Sequence, residues 1–121
     1  MGFMKPLDKA KLCLQIIRER KAVDPILIEV TKLTSFADYF LIASGSSSRQ
    51  VQSISRYLVQ RMREEGFKTY GVEGEQEGQW VLMDYGDVII HIFYQPIREF
   101  YDLEGLWIEA PRIGAYGEGD D

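Results

Sequence analysis

Two residue types that often carry chemistry are almost missing from this chain, which holds one cysteine, Cys13, and one histidine, His91. A lone cysteine excludes an intrachain disulfide and any Cys-rich metal framework. Metal binding at His91 would need further ligands, and no second imidazole exists to supply one. Hydrophobic runs extend only a few residues, far short of the roughly 20 needed for a membrane-spanning helix. The N-terminal MGFMKPLDKAK lacks a long apolar core followed by a small-residue cleavage site, and Pro6 stands where a myristoylation signal wants Ser or Thr. The expectation is a soluble cytoplasmic protein without membrane contact. No internal repeat is visible.

What is present is ordinary globular material: 121 residues, 45% hydrophobic and 27% charged, enough for one domain with a single core. The net charge of −5 hides an asymmetry. Residues 1–65 carry 11 Lys and Arg against 7 acids, whereas residues 66–121 carry 3 against 12. The acidic half would repel free nucleic acid, which argues against direct nucleic-acid readout, and it suits a basic protein partner.

Periodicity predicts the elements. Leu7, Ala10, Leu14 and Ile17 form one helical stripe between Pro6 and about Lys21, and Asp24-Pro25 breaks it. ILIEV (26–30) reads as a strand with Ile26, Ile28 and Val30 on its buried face, and YFLIAS (39–44), apolar on both sides, as a central strand. Ser47 or Ser48 caps a second helix that runs to about Glu65, with Val51, Ile54, Leu58 and Met62 inward and Arg49, Arg56, Arg61 and Arg63 mostly outward. Gly66 is its left-handed stop. A short strand at Lys68–Val72, a flexible acidic loop at Glu73–Gly78, a hairpin from Trp80 to Phe93 and a helical turn near Pro96 follow. The order α, β, β, α, β, β, β predicts a single α/β (α+β) domain with a mixed five-stranded sheet and flanking helices. Residues 1–110 are its expected extent, followed by an acidic, Gly-rich, disordered tail at 111–121.

Two stretches could carry chemistry. SGSSSRQ (44–50) leads from a strand into a helix N-terminus, a place where backbone N–H groups can hold phosphate. It lacks the P-loop and dinucleotide glycine patterns. A nucleotidyltransferase would also need two acids fixed on a strand for magnesium, and the only such spacing, Glu73-x-Glu75 with Glu77, sits in a Gly-rich loop. Capping alone explains the serines. In WVLMDYGDVIIHIF (80–93), Asp84 and Asp87 belong to the turn, where short polar side chains cap backbone N–H groups. A two-residue turn at Tyr85-Gly86 would set Trp80 opposite His91. A three-residue turn ending in left-handed Gly86 would set Met83 opposite Asp87, and it is favoured because Tyr85 then avoids positive φ. His91 is either a satisfied core residue or a polar point on a sheet face that a partner covers. Seven aromatics between Trp80 and Trp107 exceed what a small core needs, and a ligand pocket or protein interface would use them.

DYFLIASGSSSRQV, EGEQEGQWVLMDYGDVIIHIF and REFYDLEGLW, in that order, resemble the ribosomal silencing factor (RsfS, or Iojap) family from about Leu7 to Trp107. The Asp38-Tyr39 pair, the Gly45–Arg49 turn, Trp80, the Asp84–Asp87 turn, His91, Phe93, Arg98, Tyr101 and Leu106-Trp107 stand where the family pattern has them. The resemblance implies a nucleotidyltransferase-like fold without the catalytic acids, and no cofactor, metal or turnover. It implies binding to ribosomal protein fourteen of the large subunit, steric block of subunit joining, and translational repression when nutrients are short. It further implies a possible homodimer. The expected partner-binding residues are Trp80, Asp84, Tyr85, His91, Phe93, Tyr101 and Leu103, chosen on aromatic character and matched position.

Overall fold

The computed structural model describes residues 4–114. Helix α1, Pro6–Glu19, starts with proline at its first position, where the missing N–H costs nothing. Its buried stripe is Ala10, Cys13, Leu14, Ile16 and Ile17. Strand β1, Val23–Glu29, begins earlier than expected. A register irregularity between Val23 and Ile26 absorbs Asp24 (φ 44°) and Pro25, so the Asp-Pro pair bends the strand instead of preceding it. Strand β2, Tyr39–Gly45, leads into α2, Ser48–Glu64. Ser47 is the cap: its side chain accepts the Gln50 N–H at 3.0 Å. Gly66 takes φ 98° just past the helix end.

Strands β3 (Gly71–Glu73), β4 (Trp80–Asp84) and β5 (Val88–Tyr94) follow, then the short helices α3 (Gln95–Tyr101) and α4 (Leu103–Leu106). The sheet order is β1-β2-β5-β4-β3, with β2 and β5 parallel and the other neighbours antiparallel. A mixed five-stranded sheet in a single α/β domain is thus the architecture. Helices α1 and α2 cover one face, against Leu27, Leu41, Ala43, Val81, Met83, Ile90 and Ile92. Each Leu or Ile fully buried there is worth about 1.5–3 kcal/mol. A smaller cluster lies on the other face: Ile28, Val30, Phe40, Ile42, Ile89 and Phe93, under Ile97, Leu103 and Trp107.

Three expectations need correction. The hairpin closes on Gly86-Asp87, not on Tyr85-Gly86 or a three-residue loop: Tyr85 N–H donates to the Val88 carbonyl at 2.9 Å. Gly86, at φ 85°, takes the first turn position, where only glycine is free of strain, and Asp84 Oδ1 accepts its N–H at 2.8 Å. His91 therefore pairs with Leu82, and Trp80 with Phe93. Second, the acidic loop is tied down, since Gln52 Nε2 donates to the carbonyls of Glu75 (3.0 Å) and Gln76 (2.9 Å), and Arg56 pairs with Glu75. Third, the fold runs past residue 110. Glu29 N–H donates to the Pro111 carbonyl (2.9 Å) and Ile113 N–H to the Leu27 carbonyl (2.8 Å), so this segment lines the β1 edge. Residues 115–121 of the expected tail lie outside the described residues.

Candidate protein interface

Strand parity decides which side chains meet. Trp80, Leu82 and Asp84 of β4 share a face with Ile89, His91 and Phe93 of β5 and with Phe40 and Ile42 of β2. That face is turned away from α1 and α2. Over β1 and β2 it is roofed by α3, α4 and Trp107. Over β4 the roof stops, leaving Trp80, Leu82 and Asp84 half-buried beside a depression of about 310 Å³ lined by Glu73, Gly74, Trp80 and Leu82.

The rings on this face form a connected set. Trp80 lies 4.8 Å from Phe93 and 5.1 Å from Tyr101, and Phe40 lies 5.0 Å from His91 and 5.1 Å from Trp107, measured between centroids. The Trp80 Nε1–H donates to His91 Nδ1 at 3.1 Å, spanning the diagonal of the ladder. That bond puts the proton of a neutral His91 on Nε2. Burial pushes the His91 pKa down to about 4, because charging a ring enclosed by Trp80, Phe40 and Phe93 costs solvation.

A group neutral in the fold but protonated in the unfolded chain gives stability that is fully present above the unfolded pKa of about 6.5 and is lost as pH falls toward 4. At pH 5 the loss from His91 should reach about 2 kcal/mol. Urea unfolding of the wild type and His91→Gln at pH 7 and pH 5 checks this. A wild type that weakens no more than the variant over that interval would refute it.

The roof itself is pinned by Arg98, a buried cation. Its Nε donates to Glu104 Oε2 at 2.9 Å, Nη2 lies in ion-pair contact with the same oxygen at 2.9 Å, and Nη1 donates to Ser44 Oγ (2.8 Å) and the Val23 carbonyl (3.2 Å). One side chain thus joins α3, α4, β2 and β1. Outside the roof, Phe100 (78% exposed), Tyr101 (52%), Leu106 (76%) and Ile108 (74%) face solvent. So much exposed apolar side chain within residues 100–108 makes this stretch a candidate contact region.

Gly74 shapes the depression. At φ 84°, its missing side chain leaves room for the Trp80 carbonyl, which would stand 2.1 Å from a Cβ. Gly74→Ala should cost about 1–3 kcal/mol and displace the loop from Trp80, read as a lowered Tm with altered tryptophan fluorescence. An unchanged spectrum would show that the loop does not position Trp80.

The seven expected contact residues fall into three groups. Trp80, Asp84 and Leu103 are half-buried and Tyr101 is exposed, all on or beside the open face. His91 and Phe93 lie beneath it, buried by their own neighbours. Tyr85 does not belong to the set: it is 2% exposed and packs in the α1–α2 core, where burial raises its pKa. Leu82, Phe100, Leu106 and Ile108 join the candidate surface although sequence reasoning did not select them. Leu82 was detectable as the residue two positions from Trp80. Among the described residues, no group of three His, Cys, Asp or Glu side chains is placed to hold a metal ion, and no helix is long and apolar enough to cross a membrane.

Comparison with known proteins adds to this geometry. A family model described as "Ribosomal silencing factor during starvation" matches residues 4–121. The "Ribosomal silencing factor RsfS" of Chromobacterium violaceum is 36% identical over 104 residues, covering 86% of this chain and 85% of that protein. The protein of the same name from Bacillus subtilis is 40% identical over 93 residues, covering 77% and 79%. A crystal structure of a Chromobacterium violaceum protein superposes with a TM-score of 0.85 at 31% identity, covering 97% of this chain and 100% of that one.

Proposed function

The chain belongs to the ribosomal silencing factor family, and on that premise we propose that it binds the large ribosomal subunit through ribosomal protein fourteen and blocks subunit joining by occupying space. Repression of translation when nutrients are short is the biological outcome, in the cytoplasm and without catalytic turnover. The observation that carries this reading is the unroofed half of the sheet, where Trp80, Leu82 and Asp84 stand beside exposed Tyr101.

The chemistry is complementary. Residues 69–114 hold nine acids against two arginines, and Arg98 is already neutralised by Glu104. A basic ribosomal protein is steered toward such a surface, while the aromatic rings supply the desolvated centre that specific binding requires. About 800 Å² per partner is enough for a specific complex. A second copy of the chain would compete for the same rings, so self-association and ribosome binding should oppose each other.

Co-sedimentation with isolated large and small subunits, with joining followed by light scattering at two salt concentrations, tests the reading. Binding to the large subunit alone, blocked joining and a weaker effect at high salt are expected. Binding at neither salt would refute it.

A further inference from the structure

The fold gathers most of the positive charge of the chain in its helix layer. Residues 5–21 hold six Lys and Arg against two acids, and residues 48–68 hold five against two. These two spans form the helix layer, whereas the acids of residues 69–114 belong mainly to the hairpin, the acidic loop and the α3–α4 roof.

Within the helix layer one feature is ordered. Arg49, Arg56 and Arg63 recur every seven residues along α2, all exposed and opposite the stripe of Val51, Ile54, Leu58 and Met62. At 1.5 Å per residue the three guanidinium groups stand about 10.5 Å apart along one ridge. The acids of the same helix are drawn aside: Arg61 approaches Glu64 (3.7 Å) and Glu65 (4.0 Å), and Arg61 also binds Glu19 of α1. Arg49 and Arg63 have no carboxylate partner among the described residues. Arg56 pairs with Glu75, but the arginine side chain is 65% exposed and the carboxylate partly so, and such a solvated pair exchanges for a stronger anion.

We infer that this arginine ridge is a second docking surface, which holds the phosphate backbone of a structured RNA duplex without reading its sequence. Arginine forks match phosphate oxygens in pairs, and an A-form duplex presents phosphates on either side of a wide, shallow groove that a straight helix can lie against. At physiological salt each charge acts over about 8 Å, so the acids of the α3–α4 roof, on the far side of the sheet, do not cancel the ridge, and the acidic loop reaches it through the Arg56–Glu75 pair. The choice of RNA over other polyanions rests on the proposed ribosomal partner. The ridge itself stands apart from the aromatic face.

The test uses the full chain and a fluorescent 16-base-pair RNA duplex of arbitrary sequence, read by anisotropy at 50 and 200 mM salt. Three phosphate contacts should lower the affinity roughly fortyfold between those concentrations. R49Q/R56Q/R63Q should bind at least tenfold more weakly at low salt, with its salt dependence nearly abolished. R49Q/R63Q, which leaves the Arg56–Glu75 pair and the loop intact, should fall between. A charge-matched control, K5Q/K11Q/K32Q, should retain binding within a few-fold. Circular dichroism melts confirm that each variant is folded.

Equal loss in the control, or no wild-type binding at 50 mM salt, overturns the inference. So does tighter ridge-dependent binding to vesicles of phosphatidylcholine with phosphatidylserine, which would assign the ridge to a lipid surface. Ridge-dependent self-association without RNA would assign it to the acidic face of a second copy and likewise overturn it. Failure here with subunit binding intact leaves the proposed function standing. Loss of subunit binding with duplex binding intact does the reverse.

Discussion

Replacing Arg98 with alanine is expected to destabilise the domain by about 3–5 kcal/mol, the cost of removing one partner from a buried ion pair. The residue is 7% exposed, and its guanidinium makes three hydrogen bonds, to Glu104, to Ser44 and to the Val23 carbonyl, besides the ion pair with Glu104. The variant leaves the Glu104 carboxylate without its cation in a poorly hydrated site, and it strips α3 and α4 of their only polar anchor to β1 and β2 among the described residues. Removing both charges is different: R98M/E104L should recover much of the loss, since an apolar pair of similar volume has no stranded charge. Urea denaturation of the two variants and the wild type decides the matter. A single variant within about 1 kcal/mol of wild type would mean that Ile97, Leu103 and Trp107 hold the roof by packing alone. Arg98→Lys, which keeps the charge but loses the fork, should fall between the two.

The second large effect concerns binding. Trp80→Ala should weaken association with the large subunit by about 2 kcal/mol or more, some thirtyfold, if its ring is the anchor of the interface. The same change removes the contacts to Phe93 and Tyr101 and the bond to His91, so stability also falls. Two milder variants separate these effects. Trp80→Phe keeps a ring and deletes the N–H, so it should lower stability more than affinity. Tyr101→Ala removes an outer ring that is already half in water, so it should lower affinity more than stability. Unaltered affinity in Trp80→Ala, alongside reduced stability, would make Trp80 a core residue and place the interface elsewhere.

The parts of this fold that were legible in the sequence are those written in long periods. Helix α2 carries its apolar stripe over 17 residues with a serine cap before it and a glycine after it, so pattern and termini agree. Strand β2 is apolar on both faces because it lies second in the sheet, under helices on one side and the roof on the other. The hairpin was harder, because its register depends on one fact about four residues: which of them accepts positive φ. Shifting the turn to Gly86-Asp87 keeps Tyr85 in the ladder and moves every facing pair. The error over Tyr85 follows from choosing contact residues by type. Trp80, Leu82 and Asp84 point one way along β4, and Val81, Met83 and Tyr85 the other, so parity alone sends Tyr85 into the core. The Arg98 anchor was beyond sequence reasoning, since Ser44, Val23 and Glu104 converge on it only in three dimensions.

The pairing of β2 with β5 also sets the order in which the molecule can be assembled. Tyr39 lies opposite Val88, 49 residues later, and all of α2, β3 and β4 must be made before the two central strands meet. At ordinary elongation rates a nascent chain therefore spends about 2–10 s with β2 complete and its neighbour unmade. During that interval only the β1–β2 hairpin and the two long helices can collapse together, and the apolar side of β2 destined for the roof stays bare. Closing so distant a pair late makes folding slow relative to a helical bundle of equal length. A factor proposed to silence ribosomes thus reaches its binding-competent form only after the ribosome that makes it has passed β5.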